Sequence, residues 1–128
     1  MPEILIVEDS AFFRQLLKET LTSQFPSVRI EEAADGDEAL RKIEISKPDL
    51  IFIDIKLPGE NGLELTKKIR AQYVDIVIII LTSYDLPEYR EAASQYGADL
   101  FLSKGATTKD YIHTLVNSFL SKGKYRPD

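Results

Sequence analysis

The 128-residue sequence contains no cysteine, which excludes disulfides and thiolate metal sites. Long apolar runs are also missing. The longest, Ile76 to Leu81, falls far short of the roughly 20 residues that a membrane-spanning helix needs. Met1-Pro2-Glu3 does not resemble a secretory start, because no positive region precedes an apolar stretch. Cytoplasmic residence without membrane attachment is therefore the default expectation. Positive charge is scarce: the net charge is −5 and the pI is near 4.9. Direct nucleic-acid binding by this chain is not expected, since it needs clustered Lys and Arg. The one basic cluster, Lys122, Lys124 and Arg126, reads as a C-terminal tail or the start of a linker. The single histidine, His113, has no ligand or catalytic partner at recognisable spacing, so a structural or surface placement is favoured.

What is present describes a folded domain. An apolar content of 44% against 29% charged residues is that of a globular chain, not a disordered one. Its length suits one hydrophobic core, and no internal repeat, low-complexity segment or second domain is found. Short apolar runs alternate five times with helical patterns. Ile4 to Val7, Leu50 to Ile53, Ile76 to Leu81 and Leu100 to Leu102 predict strands, and Val28 to Glu32 alternates as a half-exposed edge strand does. Helices are expected from Ala11 to about Ser23 and from the Asp35-Gly36 turn to the Lys47-Pro48 break. Three more cover Leu63 to Gln72, Leu86 to Tyr96 with Gly97 as C-terminal cap, and Thr107 to Leu120. In the fourth of these, Leu86, Tyr89, Ala93 and Tyr96 form a stripe read as mostly core. Continuous apolar strands require helices on both faces of a parallel sheet, joined by right-handed crossovers. The expected fold is a doubly wound, three-layer (βα)5 sandwich.

In such sheets ligands bind beyond the carboxyl ends of the strands. The residues just past the apolar runs are Glu8 and Asp9, then Asp54, then Thr82 and Ser83, then Lys104. Taken singly each has a plain explanation. Asp9 or Ser10 is an ordinary helix cap type, Thr82 ends a strand, and a lone Lys is usually a solvated charge. Together they deliver three carboxylates, a hydroxyl and an ammonium to one edge. Converging carboxylates repel unless a cation sits among them, and a hard divalent ion such as Mg²⁺ suits oxygen donors. Asp54 is then the candidate nucleophile toward phosphorus, with Lys104 and Thr82 stabilising the phosphoryl oxygens.

These residues, in this order, resemble the receiver domains of bacterial response regulators along essentially the whole chain. The segment Asp54-Ile55-Lys56-Leu57-Pro58-Gly59-Glu60-Asn61-Gly62-Leu63-Glu64-Leu65 is similar to that family's acceptor loop. The resemblance implies the flavodoxin-like strand order 2-1-3-4-5, and a receiver domain over residues 1–121 followed by a tail or linker at 122–128. It implies phosphorylation of Asp54 by a sensor histidine kinase, a phosphotransfer protein or a small acyl phosphate. It also implies Mg²⁺, replaceable by Mn²⁺, held by Asp9, Asp54 and the backbone carbonyl of Lys56, with Glu8 reaching it through water. Thr82 and Phe101 match the switch pair that reshapes the surface of the fourth helix, fifth strand and fifth helix. Lys56 and Tyr84 occupy positions that modulate dephosphorylation. The implied outputs are a downstream protein, a fused output domain or a phosphorylation-dependent homodimer.

One departure from the family pattern is Gly105, where many receivers carry a proline, often after a cis bond. A cis bond before a non-proline residue costs about 2.5–4 kcal/mol, so a trans Lys104–Gly105 bond is expected, with positive φ open to Gly105. Three other readings are weaker. A phosphohydrolase of the haloacid dehalogenase type needs a D-x-D motif after the first strand, and Glu8-Asp9-Ser10 does not supply it. A flavodoxin-like cofactor protein would place a phosphate against Glu8 and Asp9, which repel it, and no G-x-G-x-x-G is present for a dinucleotide. A pseudo-receiver that signals without phosphorylation ranks low, because all five chemical positions are intact.

Overall fold

The computed structural model describes residues 2–121. Its elements are β1 (Glu3–Val7), α1 (Ala11–Gln24), β2 (Arg29–Ala33), α2 (Gly36–Ser46) and β3 (Leu50–Ile53). They continue with α3 (Gly62–Gln72), β4 (Val77–Thr82), α4 (Pro87–Gln95), β5 (Leu100–Ser103) and α5 (Lys109–Ser121). The strands form one parallel sheet in the order β2-β1-β3-β4-β5. This is the doubly wound sandwich expected from the apolar runs. The basic residues at 122–128, and the expected tail there, lie outside the described residues. Among the described residues, no helix is long and apolar enough to cross a membrane.

Period-two side-chain alternation feeds two cores from the same three central strands. Leu5, Val7, Ile51, Ile53, Ile78 and Ile80 pack with Ala39, Ile43, Leu65, Ile69 and Ala93 from α2, α3 and α4. Ile4, Ile6, Leu50, Phe52, Val77, Ile79 and Leu81 pack with Leu17, Leu21, Ile112 and Val116 from α1 and α5. Each fully buried Leu or Ile contributes about 1.5–3 kcal/mol of transfer free energy, so the two layers hold the strand tips in fixed relation. The edge strand β2 carries charge instead. Glu32 pairs with Arg14 and Lys18, and Glu31 with Arg29 and Lys42, which blunts an otherwise open edge.

Several local expectations shift. Asp35 is the N-cap of α2, accepting from the Glu38 N–H at 2.9 Å, and Gly36 is the first helical residue, not part of a turn. The edge strand runs one residue later than its alternation suggests, from Arg29 to Ala33. The C-cap of α4 is Tyr96, and Gly97, expected as the cap, follows it with φ of 102°. Leu86 is 44% exposed, so the α4 stripe reaches the core through Ala93, with Tyr89 and Tyr96 only partly buried. The Lys104–Gly105 bond is trans, as expected, but Gly105 does not adopt positive φ; the trans bond is accommodated by ordinary backbone.

Gly62, at the start of α3, packs against the end of β3. Its N–H donates to the Ile55 carbonyl at 2.8 Å, closing the loop that follows Asp54. A Cβ there would lie 2.0 Å from the Asp54 carbonyl oxygen and 2.8 Å from Ile53 Cγ2. Gly62→Ala is therefore expected to destabilise the fold by about 2–3 kcal/mol, read as a lower urea midpoint at unchanged slope. Glu32 gives a pH-dependent counterpart. The Lys18 hydrogen bond, with the weaker Arg14 contribution, holds its carboxyl below the ordinary glutamate value of 4.5. A lowered folded value means the stabilisation is present above 4.5 and is lost as pH falls through that lowered value. Glu32→Gln is expected to cost about 0.5–1 kcal/mol at neutral pH, a difference that thermal melts should find shrinking in acid.

Candidate functional site

The backbone ladder continues one residue past the strands and fixes the height of each functional group. The Glu8 N–H donates to Ala33 at 3.0 Å, the Asp54 N–H to Val7 at 3.1 Å, and the Lys104 N–H to Thr82 at 2.8 Å. These bonds tie the end of β1 to those of β2 and β3, and the end of β4 to that of β5, and Glu8, Asp54 and Thr82 are buried there.

The side chains close on one another. Lys104 Nζ lies 2.8 Å from Glu8 Oε1 and 3.1 Å from Asp54 Oδ2. The second oxygen of Glu8 accepts from the Ser10 N–H at 2.9 Å, and that of Asp54 from the Ile55 N–H at 2.7 Å. Asp9 is exposed, yet one oxygen from each of Glu8, Asp9 and Asp54 lies within 4.8 Å of the others. Thr82 Oγ1 accepts from the Tyr84 N–H at 3.2 Å, so the hydroxyl proton is left to donate elsewhere.

Burial is the largest influence on Glu8 and pushes its pKa up, with the nearby Asp54 charge adding to the rise. The Lys104 ammonium and the Ser10 N–H oppose it. For Lys104, burial pulls down, but Glu8 and Asp54 together outweigh it and hold the group protonated. The cation expected among the carboxylates is thus present in part as Lys104. Counted formally, three carboxylates against one ammonium leave a charge of −2. Hard oxygen donors with surplus negative charge, one of them open to solvent, fit a divalent cation of the Mg²⁺ class.

The remaining expected residues fall near this edge. Tyr84 is 42% exposed, and the Lys56 ammonium lies 5.2 Å from its ring centroid, so the two stack on each other. Phe101 is partly buried against the core, with the Arg90 guanidinium 4.7 Å from its ring centroid. His113 stands apart on α5, stacked on Phe25 at 5.1 Å.

The contacts of Arg90 and Phe13, and the link from the cap residue Ser10 to Glu8, escape a reading of the sequence. Arg90, which covers Phe101, is gripped by both oxygens of Asp85 at 2.5 and 3.1 Å. Phe13 lies with its ring centroid 4.1 Å from Lys104 Nζ. Ser10 caps α1 by accepting the Phe13 N–H at 3.2 Å and also donates its own N–H to Glu8. Helical spacing assigns Phe13 to the core face of α1, and nothing in spacing links it to a lysine beyond the fifth strand. The N-cap type of Ser10 was the one available signal.

Comparison with known proteins agrees with this geometry. Residues 4–117 match the family model of the response regulator receiver domain. The Bacillus subtilis protein named as the uncharacterized transcriptional regulatory protein YhcZ is 36% identical over 112 residues, covering 88% of this chain and 52% of that protein. The response regulator MprA of Mycobacterium ulcerans is 36% identical over 125 residues, covering 98% of this chain and 53% of its own. The chain therefore spans about half the length of these curated relatives. Among solved structures, a CheY-like receiver domain protein from Methanospirillum hungatei superposes with a TM-score of 0.85 at 29% identity, covering 97% of this chain and 98% of that one. A two-component response regulator from Clostridium difficile gives 0.87 at 29% identity, covering 95% and 98%. The strand order, the acid cluster bridged by Lys104 and a family match over almost the whole chain converge: this chain belongs to the response regulator receiver domains, the phosphorylation-activated switches of two-component signalling.

Proposed function

We propose that Asp54 accepts a phosphoryl group from a sensor histidine kinase or a phosphotransfer protein, and that this change is relayed through the α4-β5-α5 surface. The observation that carries this reading is Lys104 bridging Glu8 and Asp54 beside a third carboxylate, all at the sheet edge where the strands end. Asp9 and Asp54, with the Lys56 carbonyl and the nearby Glu8, would hold Mg²⁺, for which Mn²⁺ could substitute. When bound, the ion neutralises charge on the phosphoryl oxygens.

An Asp54 carboxylate oxygen forms the new bond to phosphorus. The bond to the donor's histidine nitrogen, or to the oxygen of a small acyl phosphate, breaks, and the leaving atom keeps the electron pair. Lys104 already touches Asp54 Oδ2 and needs only a short shift to meet a phosphoryl oxygen. The Thr82 hydroxyl donates to another, and its shift opens space for Phe101 to turn inward from beneath Arg90. Lys56 and Tyr84, stacked together, shield the acyl phosphate from water.

The chain acts as a regulatory domain, turning over only its own phosphoryl group. Residues 1–121 are the receiver, and 122–128 a tail or linker. Its receivers of signal are a downstream protein, a fused output domain or a second copy of the chain, in the cytoplasm.

Intact-mass measurement after incubation with a small acyl phosphate and Mg²⁺ should show one phosphoryl group on wild type. Asp54→Ala should show none, and chelating the metal should abolish the gain; equal labelling of Asp54→Ala refutes the assignment. Tyr84→Ala should shorten the phosphoryl lifetime several-fold, followed as decay of the phosphorylated mass. An unchanged decay rate removes Tyr84 from this role.

A further inference from the structure

We infer that the ring of Phe13 is a positioning residue for Lys104, acting as a non-acidic third wall that keeps the ammonium poised over the acceptor. The inference rests on Asp54 being the phosphorylated residue. Its basis is a closed circuit of contacts at the end of β1. Lys104 Nζ is 2.8 Å from Glu8 Oε1, and the other Glu8 oxygen accepts from the Ser10 N–H at 2.9 Å. Ser10 Oγ in turn accepts the Phe13 N–H at 3.2 Å, and the Phe13 ring centroid lies 4.1 Å from Lys104 Nζ. The residue that caps α1 thus sets the heights of both the carboxylate and the ring that face the same ammonium.

A lysine stem has four rotatable carbons, and two carboxylates on one side do not confine it. Solvent access and rotamer freedom would let the ammonium swing away from Asp54. The face of an aromatic ring attracts a cation through its quadrupole while adding no net charge. That difference matters here. A further acid in the place of this ring would compete for Lys104 with the incoming phosphoryl group and deepen a cluster that already holds three carboxylates. A ring also tolerates sideways movement, whereas a hydrogen bond is directional. Lys104 can therefore slide from Asp54 Oδ2 toward a phosphoryl oxygen without losing this contact. Phe13 is only partly buried and packs on the core layer between α1 and the sheet, so its ring is backed from behind.

The test compares wild type with Phe13→Leu, which keeps apolar volume, and Phe13→Tyr, which keeps the ring. The direct readout is nuclear magnetic resonance of the Lys104 Cε protons, which a ring face shifts upfield. The functional readout is the rate of phosphorylation by a small acyl phosphate at saturating Mg²⁺. The upfield shift is expected in wild type and Phe13→Tyr and lost in Phe13→Leu, with phosphorylation slowed roughly three- to tenfold in the leucine variant only. Equal rates for wild type and Phe13→Leu overturn the role of Phe13 while leaving Asp54 untouched. Equal slowing in both variants also overturns it, because packing alone then explains the loss. Absence of the upfield shift in wild type overturns it without any variant. Wild type that gains no phosphoryl group instead refutes the assignment of Asp54, and the positioning role falls with it.

Discussion

Burial raises the proton affinity of a carboxylate, and a neighbouring negative charge adds to the effect. Glu8 stands in such a place beside Asp54, and the contact that makes it tenable is the Lys104 ammonium bonded to both. In the proposed function, the same cation that relieves the repulsion also meets the incoming phosphoryl group. The site thus joins one positive group to a cluster of three acidic residues whose oxygens lie within 4.8 Å of one another. Removing Lys104 leaves two buried acids unbalanced, so fold stability and chemistry depend on one side chain.

That arrangement requires the strand tips to stay at matched heights. Hydrogen bonds beyond the strands, from Asp54 to Val7 and from Lys104 to Thr82, supply the match. Two apolar layers hold the strands against shear, since a register slip of one residue would exchange the side chains facing each layer. Gly62 adds a local constraint, because its missing Cβ lets α3 begin directly against the Asp54 carbonyl. The backbone of Asp54 is thus held by the sheet on one side and by α3 on the other.

The site is also joined physically to the α4 side of the domain. The Tyr84 N–H bonds to the Thr82 hydroxyl, and Asp85, the next residue, holds Arg90 over Phe101. A movement of the Thr82 hydroxyl therefore breaks or strains a bond to the segment that anchors the cover of Phe101.

The sequence by itself determined the alternation of strands and helices, the parallel sheet and the residues standing at its carboxyl edge. Those features follow from local periodicity: continuous apolar runs mark strands buried on both faces, and the first polar residue after each marks a strand tip. Glu8, Asp54 and Thr82 were legible in that way, and Asp9 and Lys104 one residue further on. Element boundaries were less so, because capping is decided by side-chain geometry, as Asp35 and Gly36 illustrate. The tertiary structure alone decided who touches whom at the edge. Phe13 beneath Lys104, Arg90 over Phe101 and Lys56 on Tyr84 are contacts between side chains whose elements meet only after the sheet is wound. Periodicity records which face of an element is apolar; it carries no record of which neighbour that face will meet.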